Sequence, residues 1–166
     1  MRLVIALLAS VAVVASLSVT PASAIDRPQT FSLLEINESD IQINGFDFQR
    51  GPRPGDGFGF VNGLYKWAGT KRGARFGHDE GLCTFLKVSA TEQSFSASAY
   101  CTASFFLPAG TVLVAAFLHF TDGPGRFDVA VTGGTGAYAN ARGFVRIRDI
   151  GPEDSGHSSL EFHLLP

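Results

Sequence analysis

Glu35 and Asn37 are polar residues that continue an apolar stripe. In the run Thr30–Asn37 they share one face of a predicted strand with Phe31 and Leu33, because alternate residues of a strand point to the same side. Burying a carboxylate costs on the order of several kcal/mol unless it is paired, hydrogen-bonded or protonated. Such groups are concentrated at functional sites. From the sequence, Glu35 lies either in a buried interior or at a rim that meets water.

Other side chains that could do chemistry give weaker patterns. Asn62 precedes Gly63, a pair that is also typical of a turn or bulge. The four histidines form no H-x-x-x-H pair and have no cysteine at ligand spacing, so the sequence predicts no metal site. His119 lies in an apolar run, where it either contacts a cavity or occupies the core or a rim. No G-x-S-x-G elbow is present, which excludes that type of hydrolase.

A glycine-rich stretch, residues 130–143, imitates a phosphate-binding loop. Gly134-Thr135-Gly136 followed by Ala139 matches G-x-G-x-x-A. A dinucleotide fingerprint needs a helix directly afterwards, and a P-loop needs a lysine, and neither follows here. The stretch therefore predicts a strand, a tight loop and a second strand.

The elements that must position these residues are predicted to be β-strands. Glycine, phenylalanine and β-branched residues are abundant, and turn residues separate most of the alternating runs. Eight runs follow: Thr30–Asn37, Phe58–Tyr65, Phe76–Val88, Phe95–Phe106, Thr111–Thr121, Phe127–Thr132, Phe144–Ile150 and Ser158–Leu165. Evenly spaced strands without helices indicate a sandwich or a barrel.

The fourth and fifth runs carry the clearest patterns. In Phe95–Phe106 one face is apolar and mostly small, which leaves room for bulky neighbours or a ligand. The run from Val112 to Phe120 is apolar on both faces. Its outer face is therefore expected to be covered, either by another subunit of a homo-oligomer or by a helix or long loop of the same chain.

The first 24 residues predict a secretory signal peptide. Arg2 gives a positive end, Leu3–Val14 an apolar core, and Ala22-Ser23-Ala24 a cleavage site. An uncleaved anchor is the alternative, although the apolar run is short for a membrane span. After signal removal no further span is predicted, and residues 25–166 form one secreted domain. That domain has 12 Lys and Arg against 15 Asp and Glu, so nucleic acid is not an expected partner.

Four motifs resemble those of plant allene oxide cyclases, in the same order. Leu34–Asp40 resembles the Glu-Ile-Asn-Glu-x-Asp stretch that opens their barrel. Gly55-Asp56 and Phe60–Tyr65 are similar to Gly-Asp and Phe-x-Asn-x-Leu-Tyr. Gly81–Cys83 matches Gly-x-Cys, and Thr132–Gly136 matches Thr-Gly-Gly-Ser/Thr-Gly. The resemblance covers most of residues 25–166. It implies an all-β, eight-stranded antiparallel barrel with a central apolar cavity, the fold that these cyclases share with dirigent proteins.

The resemblance also implies a function. Allene oxide cyclases convert an unstable fatty-acid allene oxide into a cyclopentenone without a cofactor. In that family a buried glutamate stabilises delocalised charge, asparagines hold a water near the epoxide oxygen, and a cysteine shapes the cavity. Matched by motif, these roles fall on Glu35, on Asn37 and Asn62, and on Cys83. The implied protein is a cofactor-free isomerase or cyclase acting on a hydrophobic small molecule.

Two departures keep a second function open. Ala141-Arg142-Gly143 is similar to the dirigent loop ending, and Ile41–Gly45 replaces the Gly-Ser-Pro of the cyclases. The alternative is a noncatalytic dirigent-type or lipocalin-like protein that binds a hydrophobic ligand. In either case the predicted cavity-lining residues are Phe31, Leu33, Phe60, Cys83, Phe85, Ala99, Phe117 and His119.

The two cysteines are predicted to form a disulfide. A hairpin of the third and fourth runs, centred on Glu92, sets Cys83 opposite Cys101 and Phe85 opposite Ala99. Export to an oxidising compartment would permit the bond. Two free buried thiols are the alternative, because the matching cysteine of the cyclases is unpaired.

Overall fold

A computed structural model describes residues 25–46, 51–67, 71–91, 94–121, 123–152 and 155–166. The predicted signal peptide, residues 1–24, lies outside these ranges. No helix within the described ranges is both long enough and apolar enough to cross a membrane.

The eight predicted strands are all present, and they close into one antiparallel barrel in which every strand pairs with its neighbour in sequence and β1 pairs with β8. Each strand extends its predicted run at one or both ends, and β7, which begins two residues earlier than predicted, also ends one residue earlier. The strands are β1 Gln29–Ile43, β2 Gly57–Trp67, β3 Arg72–Thr91, β4 Ser94–Leu107, β5 Gly110–Thr121, β6 Arg126–Gly134, β7 Arg142–Asp149 and β8 His157–Leu165. The barrel prediction is confirmed and the sandwich is excluded.

Inward-facing residues fill the two ends of the barrel differently. At the closed end, where β2 ends and β3 begins, aliphatic and aromatic side chains form a continuous core around Leu64, Phe105 and Phe162. At the open end, where β1 ends and β2 begins, a second cluster contains Phe46, Phe85 and several small residues of β4. The small face of β4 gives this half of the interior its free volume, because alanines leave space that larger side chains would fill.

The glycine-rich corner between β6 and β7 matches the predicted strand–loop–strand arrangement. A Cβ on Gly134 would lie 2.5 Å from the carbonyl oxygens of Thr111 and Tyr138, so only glycine fits there. The loop also contains one turn of 3₁₀-helix, Gly136–Tyr138, which the sequence pattern did not predict. Tyr138 is buried and belongs to the core of the closed end.

The β3–β4 hairpin confirms the predicted disulfide. Cys83 lies opposite Cys101 and Phe85 opposite Ala99, and the two sulfur atoms are bonded. Beyond Phe85 the register shifts by one residue at a bulge before Lys87, which the sequence did not indicate.

Two residues of β5 that were predicted to line the cavity lie on its outer face instead. Phe117 and His119 point away from the interior, and the Phe117 side chain is 74% exposed. The His119 ring lies 3.4 Å from the hydroxyl groups of Ser96 and Ser98 on the outside of β4. The reason is the alternation of β5, in which Val112, Val114 and their even-numbered successors face inward.

Candidate active site

Three polar side chains meet inside the barrel, contributed by three neighbouring strands. Asn62 of β2 is paired directly with Asp79 of β3, and Glu35 of β1 lies beside Leu64, two residues further along β2. All three side chains point inward because each lies in register with apolar inner-face residues of its strand. Glu35 is 9% exposed, Asn62 7% and Asp79 0%, so Glu35 is a buried residue and does not lie at a solvated rim.

Asn62 connects the two carboxyl groups. Its Nδ2 donates to Glu35 Oε1 at 3.1 Å and to Asp79 Oδ2 at 3.1 Å. Its own Oδ1 accepts from Asn37 Nδ2 at 3.1 Å, and Asn37 Nδ2 also donates to Asp40 Oδ1 at 3.0 Å. Both amide hydrogens of each asparagine are therefore used within the protein, and the orientation of the two amide groups is fixed.

The hydrogen bonds that Asn37 and Asn62 make within the protein determine what these two residues can do at the site. In the described arrangement Asn62 positions the carboxyl groups, and Asn37 positions Asn62. Neither Nδ2 has a hydrogen left to donate to a ligand oxygen. The water-holding role that the family resemblance implies for Asn37 and Asn62 stays a prediction.

Burial is the main cause of the shifted pKa values of Glu35 and Asp79, which together form the acid pair. Burial is the largest of several effects that together bring the pKa of Glu35 to about 7; the negative charge of Asp149 also raises it, whereas hydrogen bonds with Ser158, Asn62 and Asp79 lower it. Burial and the neighbouring Glu35 carboxylate raise the pKa of Asp79 to about 9. At neutral pH Asp79 therefore carries a proton, and Glu35 changes charge near this pH.

Glu35 lies at the floor of a cavity of about 250 Å³ that opens at the open end of the barrel. The aromatic and aliphatic part of its wall consists of Phe58, Phe60, Leu118, Phe120, Phe127 and Ile147. The polar residues Asn37, Asn62 and Ser158 line it as well. A smaller chamber of about 60 Å³ continues inward past Phe60 to Asp79. Asp79 lines the inner chamber, and its Oδ1 is buried and accepts no hydrogen bond from a described N–H or O–H group.

The predicted cavity residues divide into four groups. Phe60 and Cys83 line the cavity as expected. Phe31 and Leu33 face inward but pack in the core of the closed end, where Phe31 stacks on Phe162 at 4.6 Å. Phe85 and Ala99 are buried in the second cluster, at the open end, and are not among the residues that line the cavity. Phe117 and His119 are outside, as described above.

Sequence reasoning missed the polar residues on the other strands. Asp79 shares the inner face of β3 with Gly81 and Cys83, so the same alternation that placed Cys83 could have placed it. Ser158 of β8 is paired with both Glu35 and Asp149, which sets these three residues in a row across the barrel wall. Ser158 Oγ donates to Asp149 Oδ1 at 3.3 Å. No cluster of three or more metal-ligating side chains occurs in the described part of the chain.

Comparison of the sequence with known protein families identifies one family. The sequence profile of the allene oxide cyclase barrel-like domain matches residues 49–162, which is more than half of the chain. The chain belongs to this family. No curated protein matches the sequence of this family member.

Solved structures with the same barrel have several activities. A pyocyanin demethylase is 26% identical with a TM-score of 0.63, and the match covers 82% of this chain and 100% of the demethylase. An exo-specific intermolecular Diels-Alderase, AbnU, is 15% identical with a TM-score of 0.57, over 82% of this chain and 97% of the other. The pterocarpan synthase dirigent protein GePTS1 is 14% identical with a TM-score of 0.55, over 83% and 86%. The last two similarities concern the fold alone.

Proposed function

We propose that this allene oxide cyclase barrel-like protein is an isomerase or cyclase that needs no cofactor. Its substrate is a hydrophobic small molecule held in the barrel cavity, and Glu35 and Asp79 move or hold the proton that the reaction requires. The protein acts after secretion. The observation that carries the proposal is the buried Glu35–Asn62–Asp79 group at the floor of an aromatic cavity.

The pair has the acidity that general acid–base chemistry needs. A carboxylate with a pKa near 7 is an effective base at neutral pH, and a carboxylic acid that stays protonated can donate a proton or a hydrogen bond. Glu35 and Asp79 divide these two tasks, because Asp79 is the more deeply buried of the two and both its burial and the Glu35 charge raise its pKa. Glu35 accepts a proton from the substrate, or stabilises positive charge that develops on it. Asp79 supports a substrate oxygen or nitrogen in the inner chamber.

The surrounding residues prepare the substrate rather than react with it. The Phe60 and Leu118 side chains exclude water from the floor of the cavity, which strengthens electrostatic interactions with the acid pair. Asn62 holds both carboxyl groups in one orientation before the substrate binds. The disulfide leaves Cys83 in the cavity wall without a thiol, so Cys83 shapes the cavity and takes no part as a nucleophile.

Two further observations support parts of this proposal. The demethylase relative acts, by its name, on pyocyanin, and its whole length matches this chain at 26% identity, which supports a small molecule as the substrate class. The Cys83–Cys101 disulfide is typical of proteins from oxidising compartments and supports secretion.

Comparative metabolite profiling tests the proposed activity. The purified protein is incubated with small-molecule extracts of its own culture, and compounds are followed by liquid chromatography and mass spectrometry. An isomerase or cyclase moves signal from one retention time to another at the same molecular mass. We expect this conversion with the natural protein and not with the Glu35→Gln variant, whose folding is checked by circular dichroism. Equal conversion by both proteins would remove Glu35 from the mechanism.

A noncatalytic binding protein is the second candidate. It is favoured by the amide hydrogens of Asn37 and Asn62, which are all engaged within the protein, so that neither amide can donate to a developing oxyanion. Native mass spectrometry of protein from its own culture distinguishes the two functions. A binder retains one ligand unchanged through incubation, whereas an enzyme releases a product of altered retention time.

A further inference from the structure

The charges that line the cavity all have the same sign. Glu35 lies at its floor, and Asp40 of β1 and Asp149 of β7 lie at its mouth. None of its described lining residues is a lysine, arginine or histidine. The arginines of β7 point to the outer wall, where Arg146 forms an ion pair with Asp128 at 2.7 Å. Three carboxyl groups therefore act on the cavity without a compensating cation.

The cavity wall adds a second feature that favours positive charge. Phe58, Phe60, Phe120 and Phe127 line the space between the mouth and the acid pair. The face of an aromatic ring carries partial negative charge and attracts a cation within about 6 Å of its centre. Apolar side chains would surround a cation bound between these rings, so the attraction is screened less than at an exposed surface.

The inner chamber supplies an independent sign that a ligand enters. Asp79 is fully buried, lines the chamber, and its Oδ1 has no hydrogen-bond partner in the described protein. A buried polar atom without a partner is costly unless a bound molecule satisfies it. The acidic cavity is thus a built binding site and not only a group of surface carboxylates.

We propose that the cavity selects a cationic aromatic ligand, one with a flat apolar body and a positively charged nitrogen, over neutral and anionic ligands of the same size. This inference rests on the proposed function, because it names the substrate class of the same site. A fatty acid or another anion would bring its own carboxylate into contact with three carboxyl groups and would be repelled.

A charge series on one aromatic body tests the selection. The probes are naphthylmethylammonium, naphthylmethanol and naphthylacetate, which carry a positive, a neutral and a negative group on the same ring system. Their dissociation constants are measured by isothermal titration calorimetry at low and at physiological salt. We expect the cation to bind roughly tenfold more tightly than the alcohol, and the anion at least roughly tenfold more weakly. Salt should reduce both differences.

Matched variants show which carboxyl groups cause the preference for the cation. Asp149→Asn removes one mouth charge, and Asp128→Asn removes an equal charge from the outer wall of the neighbouring strand β6. Only Asp149→Asn should weaken binding of the cation, by roughly threefold to tenfold, and it should leave binding of the alcohol unchanged. Equal effects of the two variants would show that net charge alone is responsible and would overturn the proposal.

The pH dependence gives a separate readout. The charged or titratable groups that face Glu35 are Asp40 on β1, Asp79 on β3 and Asp149 on β7, and β2, β4, β5, β6 and β8 contribute none among the described lining residues. Deprotonation of Glu35 adds negative charge at the floor, so affinity for the cation should rise between about pH 6 and pH 8. Glu35→Gln should abolish this rise while the alcohol binds at every pH.

The outcomes separate this inference from the proposed function. Binding of the alcohol without any preference for the cation would overturn the charge selection and leave the hydrophobic cavity of the proposed function intact. A preference for the anion would do the same. Binding of no member of the series would contradict the proposed hydrophobic site, and the charge selection with it.

Discussion

Glu35 and Asp79 approach each other from β1 and β3, and both accept a hydrogen bond from the same nitrogen, Nδ2 of Asn62. One amide group therefore holds two buried carboxyl groups that cannot both ionise at low cost. The chain tolerates this arrangement inside a barrel whose other inner-face residues are mostly apolar. Costly buried acids are found where function requires them, which is why this pair and not the glycine-rich corner is the candidate site.

The acid pair predicts how stability depends on pH. The pKa of Glu35 rises from 4.5 to about 7 on folding and that of Asp79 from 3.8 to about 9. Because both folded-state values lie above the unfolded ones, the folded protein binds more protons. The stabilisation is complete below the unfolded pKa values and is lost as pH rises through about 7 and then about 9. We expect the free energy of unfolding, from urea titrations, to fall between pH 5 and pH 9.

The Asp79→Asn variant tests directly whether the acid pair causes the loss of stability at high pH. The variant removes the carboxyl group that must ionise in a buried site, so it should unfold at higher urea concentration than the natural protein at pH 9, by on the order of 2 kcal/mol. At pH 5 the difference should be smaller. Asp128→Asn, at an acid whose pKa Arg146 lowers, should give no such gain. A natural protein that is equally stable at both pH values would contradict the assignment.

The disulfide predicts a loss of stability on removal. Cys83 and Cys101 are 18 residues apart, and closing a loop of this length stabilises a fold by about 3 kcal/mol in the chain-entropy model. The double variant Cys83→Ala and Cys101→Ala should therefore unfold at lower urea concentration by about this amount. A thiol assay on the denatured, unreduced natural protein provides the check. Two free thiols per chain would rule out the bond in the isolated protein.

The fold was predictable from the sequence to a large extent, because strand alternation is a local signal. The predicted hairpin of β3 and β4 paired Cys83 with Cys101 correctly, although the bulge before Lys87 shifts the register by one residue nearer the turn. The site was predictable only in part. Glu35 interrupts an apolar stripe and is visible in the sequence, whereas Asp79 and Ser158 become neighbours of Glu35 only when the barrel closes. Phe117 was misplaced because β5 is apolar on both faces, so that alternation could not identify its inner side.

The outer face of β5 predicts an oligomer. Leu113 and Phe117 are exposed there beside Tyr100 and Phe106 of β4, and the Tyr100 and Phe117 rings are 5.0 Å apart. Apolar patches of this kind on a folded protein mark association surfaces. We expect light scattering to find a homo-oligomer at tens of micromolar, and Phe117→Lys to shift it toward the monomer. A natural protein that stays monomeric would show that this wall is not a contact between copies.

A substitution at Gly81 is expected to narrow the cavity without changing either residue of the acid pair. A Cβ at this position would overlap the Phe60 ring, whose three outer carbons are the nearest atoms. In Gly81→Ala the ring must therefore move, and the free space into which it can move is the cavity that it lines. We expect weaker binding of naphthylmethanol in calorimetry and a loss of about 1–3 kcal/mol in stability.

Gly59→Ala is the matched control for this substitution, because a Cβ there would have no neighbour closer than 3.5 Å. It should leave affinity for the alcohol unchanged. Phe60→Leu combined with Gly81→Ala should recover part of the binding, since the smaller side chain fits beside the new methyl group. If Gly81→Ala alone bound the alcohol as tightly as the natural protein, the position of the Phe60 ring would not limit access to the acid pair.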